Sequence, residues 1–568
     1  MIMSHDASVR TLWDVKAPMR DGVRLSADVY LPDGEDCHPA ILWRTPYDNS
    51  RGMGHYSPLE IARFFASKGY AFVIQDIRGR CDSEGEWYPF FNEGPDGYDT
   101  IEWIAKQPWC DGKIGMMGGS YAGWVQWAAA RLQPPHLTTM VSTAAGGYWM
   151  REFPFVNGVP CLWFLAWLHL AGGRTLQSEV TSAVDWRKVF YHLPLSTMDE
   201  AMGRANTVWK EWLRHPNLDD FWRKVLLDPE DFARINVPTL HITGWYDGDQ
   251  PGALFFYEGM VRHSPAKDSQ HILIGPWDHG GTRTPKRQLG GVDFTQAALV
   301  DINRVHLDWF DRWLKGKASP ASEWKKTRYF VMGDNRWAGQ NDPWPPANID
   351  HVKYHLHSDG RANTMMGDGE LSMSEPGEEQ LDGYTYDPED PVVTVMDIDL
   401  YGGRVETPLD NRFILRRDDV LVYTSYPLKE AMTMSGRPLV VLYASSDCVD
   451  TDWFATLSDV HTDGRSIGLG GGLLRASYRN SLEKPELMKP GEIYRFVLEL
   501  TSTCITFHRE HRIRLSVTSS AFPSFARNLN TGRDNYEDTE IKVAHNTLHH
   551  DRMHPSHLLL PIKRGDSS

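Results

Sequence analysis

The chain of 568 residues is 41% hydrophobic and sets 59 Lys and Arg against 75 Asp and Glu, a formal net charge of −16. That length predicts roughly three or four domains, and the acidic balance without any basic run argues against nucleic-acid binding. No stretch reaches the ~18 apolar residues of a spanning helix. Met1-Ile2-Met3-Ser4-His5-Asp6 lacks a basic region followed by an apolar stretch, so no signal peptide is expected.

The N-terminal part opens with a hairpin signal, Arg20-Asp21-Gly22. Apolar strands and helical patterns then alternate. Ala40-Ile41-Leu42-Trp43 reads as a strand that leads to Tyr47, and Ala71-Phe72-Val73-Ile74-Gln75 reads as another. A helix follows over 99–109, with Ile101, Ile104 and Ala105 on one face. Such alternation predicts a mostly parallel sheet covered by helices.

Ile114-Gly115-Met116-Met117 is the next strand, and Trp124-Val125-Gln126-Trp127 opens the next helix. Between them stands Gly118-Gly119-Ser120-Tyr121-Ala122-Gly123. A serine on a sharp strand-to-helix turn, bracketed by glycines, is the nucleophile elbow of α/β-hydrolases. The same turn sets the Tyr121 backbone N–H at a helix N-terminus, where it can stabilise an oxyanion.

A further strand covers 137–142, after which the alternation stops. The insert over 147–231 is helical and rich in tryptophan. Most of its aromatics are expected in the core of a cap, with Trp149, Phe164 and Trp167 lining an acyl or aromatic pocket. The alternation resumes with Pro238-Thr239-Leu240-His241-Ile242-Thr243-Gly244, which ends in Trp245-Tyr246-Asp247. Then His271-Ile272-Leu273-Ile274-Gly275 leads to Pro276-Trp277-Asp278-His279. Ser120, Asp247 and His279 each follow the C-terminal end of a strand, where open α/β sheets build their sites. Their chain order is nucleophile, acid, histidine, as in this hydrolase class. Asp249, two residues past Asp247, is a rival acid or a substrate-binding carboxylate. Its bland alternative is a solvated loop acid or a cap for a helix over 252–261. His241 and His306 fall inside regular elements and are read as structural. A helical stretch over 296–314 closes this part.

Beyond residue 327 short alternating strands dominate, beginning with Arg328-Tyr329-Phe330-Val331-Met332, as in a β sandwich or jelly roll. The expected domains are therefore an α/β-hydrolase domain (1–146 and 232–326), a helical cap (147–231) and a β domain (327–568). Six scattered cysteines form no Cys-x-x-Cys pair, so neither a zinc ribbon nor a redox motif is indicated. Sparse cysteine fits a cytoplasmic protein.

These stretches together resemble the cocaine esterase family, which also holds α-amino acid ester hydrolases and X-Pro dipeptidyl-peptidases. The elbow, Gly244-Trp245-Tyr246-Asp247 and Gly275-Pro276-Trp277-Asp278-His279 carry the resemblance. Arg44-Thr45-Pro46-Tyr47-Asp48 and Gln75-Asp76-Ile77-Arg78-Gly79-Arg80 extend it. The resemblance implies a triad of Ser120, Asp247 and His279. It also implies an oxyanion hole made by the Tyr47 hydroxyl and the Tyr121 N–H, and a C-terminal jelly roll. Read from its own residues, Tyr47 is a structural tyrosine on a Pro-Tyr turn. The family's α-amino acid ester hydrolases hold a substrate ammonium in a carboxylate cluster, two members of which follow shortly after the triad acid; in Asp247-Gly248-Asp249-Gln250 only Asp249 is acidic there.

The expected function is a serine hydrolase of carboxylic esters that works through an acyl-enzyme and needs no cofactor or metal. An amide or peptide hydrolase is the alternative. A sugar-binding jelly roll with a decayed catalytic domain is the alternative of another class. The expected partner is a small ester or amide, with no nucleic acid and no membrane, and a homo-oligomer is left open.

Overall fold

The computed structural model describes residues 9–49, 57–393 and 408–564. The N-terminal segment read for a signal peptide lies outside these. The first unit is built on a ten-stranded sheet. Its strands are β1 (Val9–Pro18), β2 (Arg24–Pro32), β3 (His38–Thr45), β4 (Ala71–Asp76), β5 (Cys110–Gly119), β6 (Leu137–Thr143), β7 (Thr239–Tyr246), β8 (Gln270–Asp278), β9 (Thr327–Val331) and β10 (Arg336–Gln340). They lie in the order β1-β2-β4-β3-β5-β6-β7-β8-β9-β10. From β4 through β9 neighbouring strands run parallel. The two edges are antiparallel.

Both faces of the central strands are covered, so these strands read as nearly unbroken apolar runs. Successive side chains still go to opposite faces. Leu42, Val73 and Met116 join one core with Ile101, Ile104, Trp124 and Val125, from helices α2 (Glu93–Ala105) and α3 (Tyr121–Ala130). Ile41, Trp43, Phe72, Ile74 and Met117 join another with Ile61 and Phe65 of α1 (Pro58–Ser67). Phe310 of a helix over Ile302–Trp313 completes that second core.

Several boundaries differ from the sequence reading for local reasons. The helix expected over 99–109 begins earlier, at Glu93, because Pro95 falls in its first turn, where no backbone donor is required. Pro108 disfavours its continuation past Gln107. The stretch over 296–314 divides, because the Asp301 side chain accepts from Arg304 N (3.0 Å) and starts a new helix there. The strand read as the first of the β domain, Thr327–Val331, pairs instead in parallel with β8, Ile272 opposite Thr327, and with its hairpin partner extends the first sheet. A strand's sequence does not reveal which neighbour it will have.

Between β6 and β7 the chain forms short helices and one two-residue hairpin, Phe155–Val156 with Val159–Pro160. The longest is α4 (Trp163–Ala171). The C-terminal unit, from Ile349 onward, is all-β and mostly antiparallel, and its apolar core runs on into the first unit through Trp245, Leu254, Ile272 and Phe330. It touches both other parts: Cys161 bridges to Phe525, and Met332 to Ile505.

Candidate active site

Strand order places the site. The chain leaves β3 toward β4, then returns past β3 to β5, so β3 and β5 are neighbours at the sheet's switch point. The crevice outside such a point is where open α/β sheets bind ligands. Tyr47 follows β3 and Ser120 follows β5.

Ser120 has φ 63° and ψ −128°, a conformation that non-glycine residues rarely adopt. Its N–H donates to Thr143 O and Ala144 O, both at 3.0 Å, which anchors the turn to the end of β6. The turn is tight enough to require its glycines. A β-carbon on Gly118, itself at φ 148°, would lie 2.6 Å from Ala122 Cβ, and one on Gly123 would lie 2.7 Å from Thr143 O. Tyr121 starts α3, so its N–H lies outside the helix's own ladder.

His279 follows β8 and Asp247 follows β7. The Nδ1 of His279 lies 2.8 Å from Asp247 Oδ1. Asp247 is buried and also accepts from Thr243 Oγ1 (2.8 Å) and Asp249 N (3.0 Å). Burial raises its pKa, but the hydrogen bond and charge of His279 outweigh burial and leave it lowered. Asp249 is buried as well, with Oδ2 at 3.7 Å from His279 Nδ1. It is the N-cap residue of α5 (Gln250–His263), yet its side chain makes no capping hydrogen bond. It is therefore no solvated acid, and it holds the cap position without capping through its side chain. Two carboxylates thus face one imidazole nitrogen. Burial works against the imidazolium, but Asp249 and Asp247 outweigh burial and Arg283, and the His279 pKa is raised.

The Tyr47 hydroxyl accepts from the indole N–H of Trp167 at 3.0 Å. A phenol oxygen that accepts there keeps its own proton to donate. Arg80, fully buried, donates from Nε to Pro46 O at 2.8 Å and from Nη1 to Ala171 O, tying the Tyr47 turn to the end of α4. The Tyr121 ring is fixed separately. Its hydroxyl donates to Glu93 Oε1 (2.8 Å) and accepts from Phe90 N (2.8 Å), while Glu93 pairs with buried Arg44 at 3.0 Å. The ring anchors the helix start that carries the Tyr121 N–H. Trp167, Arg80 and Glu93 were not singled out from sequence for these contacts.

The aromatics expected to line a pocket divide. Trp149 (1% exposed) and Phe164 (2%) are core. Trp149 packs on Phe90 and Trp222, with centroids at 4.8 and 5.4 Å, and Phe164 packs on Phe153 and Trp212 at 5.1 and 5.2 Å. Aromatics of the cap interlock with those of α3 and the loop before α2, Trp149 with Trp124 and Trp167 with Phe90. Trp167 is half-buried and stacks on Phe90 and Tyr121. A cavity of about 430 Å³ opens where cap, first sheet and β domain meet, with Glu152, Trp163, Tyr246, Gly248 and Phe525 in its wall. Tyr246 and Gly248 flank Asp247, so this cavity adjoins the loop that carries it.

His241 and His306 are buried, and burial pushes each pKa down to about 3. Among the described residues, two groups are spaced to share a metal ion: Asp459, His461 and His511, and His549, Asp551 and His554. Both lie in the β domain. Hydrogen bonds within them, such as His511 Nδ1 to Asp459 Oδ1 at 2.8 Å, already account for their proximity.

Fold and site together define an α/β-hydrolase with an inserted cap and a C-terminal all-β domain. Residues 21–281 match the family model of the X-Pro dipeptidyl-peptidase (S15 family), and residues 322–559 match that of the X-Pro dipeptidyl-peptidase C-terminal non-catalytic domain. Cocaine esterase of Rhodococcus sp. (strain MB1 Bresler) is 34% identical, over 98% of this chain and 99% of that protein. An α-amino acid ester hydrolase structure superposes with a TM-score of 0.86 at 25% identity, covering 99% of this chain and 98% of the other. An aminopeptidase from a marine sediment Thaumarchaeota archaeon shares the fold, with a TM-score of 0.83 at 24% identity over 98% and 97% of the two chains. The chain belongs to the cocaine esterase and X-Pro dipeptidyl-peptidase (S15) family, and it is a serine ester hydrolase.

Proposed function

We propose that Ser120 is the nucleophile, His279 its general base and Asp247 the acid that orients His279, acting on small carboxylic esters. The observation that carries this reading is the 2.8 Å contact of His279 with Asp247, on the same sheet edge as the strained Ser120 turn. Asp247 at Nδ1 fixes the tautomer that leaves Nε2 to accept a proton. His279 takes the Ser120 proton as Oγ attacks the ester carbonyl. Negative charge then develops on the carbonyl oxygen, where the Tyr47 hydroxyl and the Tyr121 N–H stabilise it. His279 returns the proton to the leaving alkoxide. Water, deprotonated by His279, hydrolyses the acyl-Ser120 and restores the enzyme.

Amide hydrolysis is the second reading, and buried Asp249 favours it. A further carboxylate beside the histidine suits a substrate that carries an amine, such as an amino acid derivative. A reducing cytosol suits the six cysteines, which form no disulfide. Among the described residues no helix is long and apolar enough to cross a membrane.

Rapid mixing with p-nitrophenyl butyrate tests the mechanism. A burst of p-nitrophenol close to one equivalent per chain, absent from Ser120→Ala, is expected when deacylation limits turnover. Wild-type rates in Ser120→Ala would dismiss Ser120 as nucleophile.

A further inference from the structure

Arg283 follows His279 in the loop after β8, its N–H donating to Gly280 O at 3.1 Å. Its side chain crosses the sheet edge to Gly119, the residue before Ser120. A β-carbon on Gly119 would lie 2.9 Å from Arg283 Cδ and would collide with Nη1. The guanidinium therefore occupies space that a side chain at position 119 would fill, directly beneath the nucleophile turn.

Every buried arginine among the described residues is held by at least one side-chain hydrogen bond, Arg80 and Arg527 to backbone carbonyls and Arg514 to Thr424 Oγ1. Arg44 pairs with Glu93 at 3.0 Å, and Arg475 with Asp452 at 2.9 Å. Arg283 is different. No side-chain hydrogen bond holds it among the described residues, and its Nη1 is buried without a partner, as single nitrogens of Arg44, Arg80 and Arg514 also are. None of the described carboxylates forms an ion pair with it. Asp247 and Asp249 are turned to His279 Nδ1 instead. Leaving a desolvated guanidinium N–H unmatched is costly. The position is electrostatically active, since the Arg283 charge opposes protonation of His279. The side chain is half-buried, so part of the guanidinium remains within reach from solvent.

A planar guanidinium with unused donors is the side chain best matched to a carboxylate. We propose that Arg283 forms an anion subsite beside Ser120 and selects esters that carry a carboxylate a few atoms from the scissile carbonyl. Half-esters of short dicarboxylic acids are the simplest such substrates. This inference rests on Ser120 being the nucleophile, and the two can be tested apart.

The first arm measures kcat/KM for p-nitrophenyl hemisuccinate and p-nitrophenyl butyrate at fixed ionic strength, in wild type, Arg283→Met and Arg283→Lys. The ratio of charged to neutral substrate should fall at least tenfold in Arg283→Met and by less in Arg283→Lys, which keeps the charge but loses the planar fork. A ratio unchanged within twofold in both variants overturns the proposal. The second arm needs no turnover. Calorimetric titration of Ser120→Ala protein with monomethyl succinate should show saturable binding that weakens at least tenfold when Arg283→Met is added. Absence of saturable binding, or equal binding in both proteins, also overturns it. If Arg283→Met fails to fold, the ratio and the titration are read on Arg283→Lys. If wild type hydrolyses neither ester, the Ser120 reading fails, while the titration still decides the subsite.

Discussion

Trp167→Phe isolates one hydrogen bond. Phenylalanine keeps an aromatic ring to pack against Phe90 and Tyr121, whose centroids lie 5.9 and 6.1 Å from that of Trp167. It removes the indole N–H that donates to Tyr47 Oη at 3.0 Å. Without that donor the phenol can turn its proton away from the developing oxyanion. A neutral hydrogen bond of this type contributes about 0.5–1.5 kcal/mol, so kcat should fall about 2- to 13-fold if its whole value is orientation. Tyr47→Phe removes the oxyanion donor itself and should cost ~10²–10³ in kcat. The two effects are not independent. Once Tyr47 has lost its hydroxyl, the Trp167 N–H has nothing to orient, so Trp167→Phe should change kcat by less than about twofold in the Tyr47→Phe background. The assay is steady-state hydrolysis of an aryl ester by the four proteins of this cycle, each checked for an unchanged melting temperature. An equal loss from Trp167→Phe in both backgrounds refutes the reasoning and makes Trp167 a packing residue only.

Other consequences follow from the same contacts. The acid limb of kcat/KM reports His279, which must be neutral to act as base. With its pKa raised by Asp249 and Asp247 over the opposing effect of burial, the limb should centre above the ordinary ~6.5 of histidine. Asp249→Asn removes a negative charge from the imidazolium and should move the limb to lower pH, and a stationary limb would count against the Asp249 contact. Gly123→Ala sets a β-carbon 2.7 Å from Thr143 O; urea unfolding should show a loss of ~1–3 kcal/mol, the usual cost of overpacking. Phe164→Ala should cost ~3–5 kcal/mol in the same experiment, as for a large aromatic removed from a core. A stable Phe164→Ala protein with an altered KM would restore Phe164 to the pocket wall.

The residues proposed as the triad stand where the sequence signals are local. A serine between glycines needs only a few neighbouring residues to announce a turn, and Asp247 and His279 each follow a short apolar run that reads as a buried strand. Their supports are not local. Trp167 reaches Tyr47 from the cap, 120 positions away, and Arg80 clamps the Tyr47 turn to the end of α4. Nothing in the immediate sequence of either residue marks that meeting. Composition also cannot tell an aromatic that lines a pocket from one that fills a core. Trp149, Phe164 and Trp167 looked alike, and only Trp167 is half-buried beside Tyr47. Thr327–Val331 shows a related limit: short apolar strands have the same pattern whether they close one sheet or open the next, and this one pairs with β8. Arg283 carries only a weak signal in sequence, a cation four residues after His279.

The central claim is that Ser120 is a nucleophile activated by His279. Labelling folded wild-type protein with a fluorophosphonate, followed by peptide mass spectrometry, tests it most directly. One phosphonyl group per chain on the peptide containing Ser120 is expected, with labelling abolished in Ser120→Ala and slowed at least a hundredfold in His279→Ala. Labelling at another residue, or equal labelling of wild type and Ser120→Ala, would contradict the account.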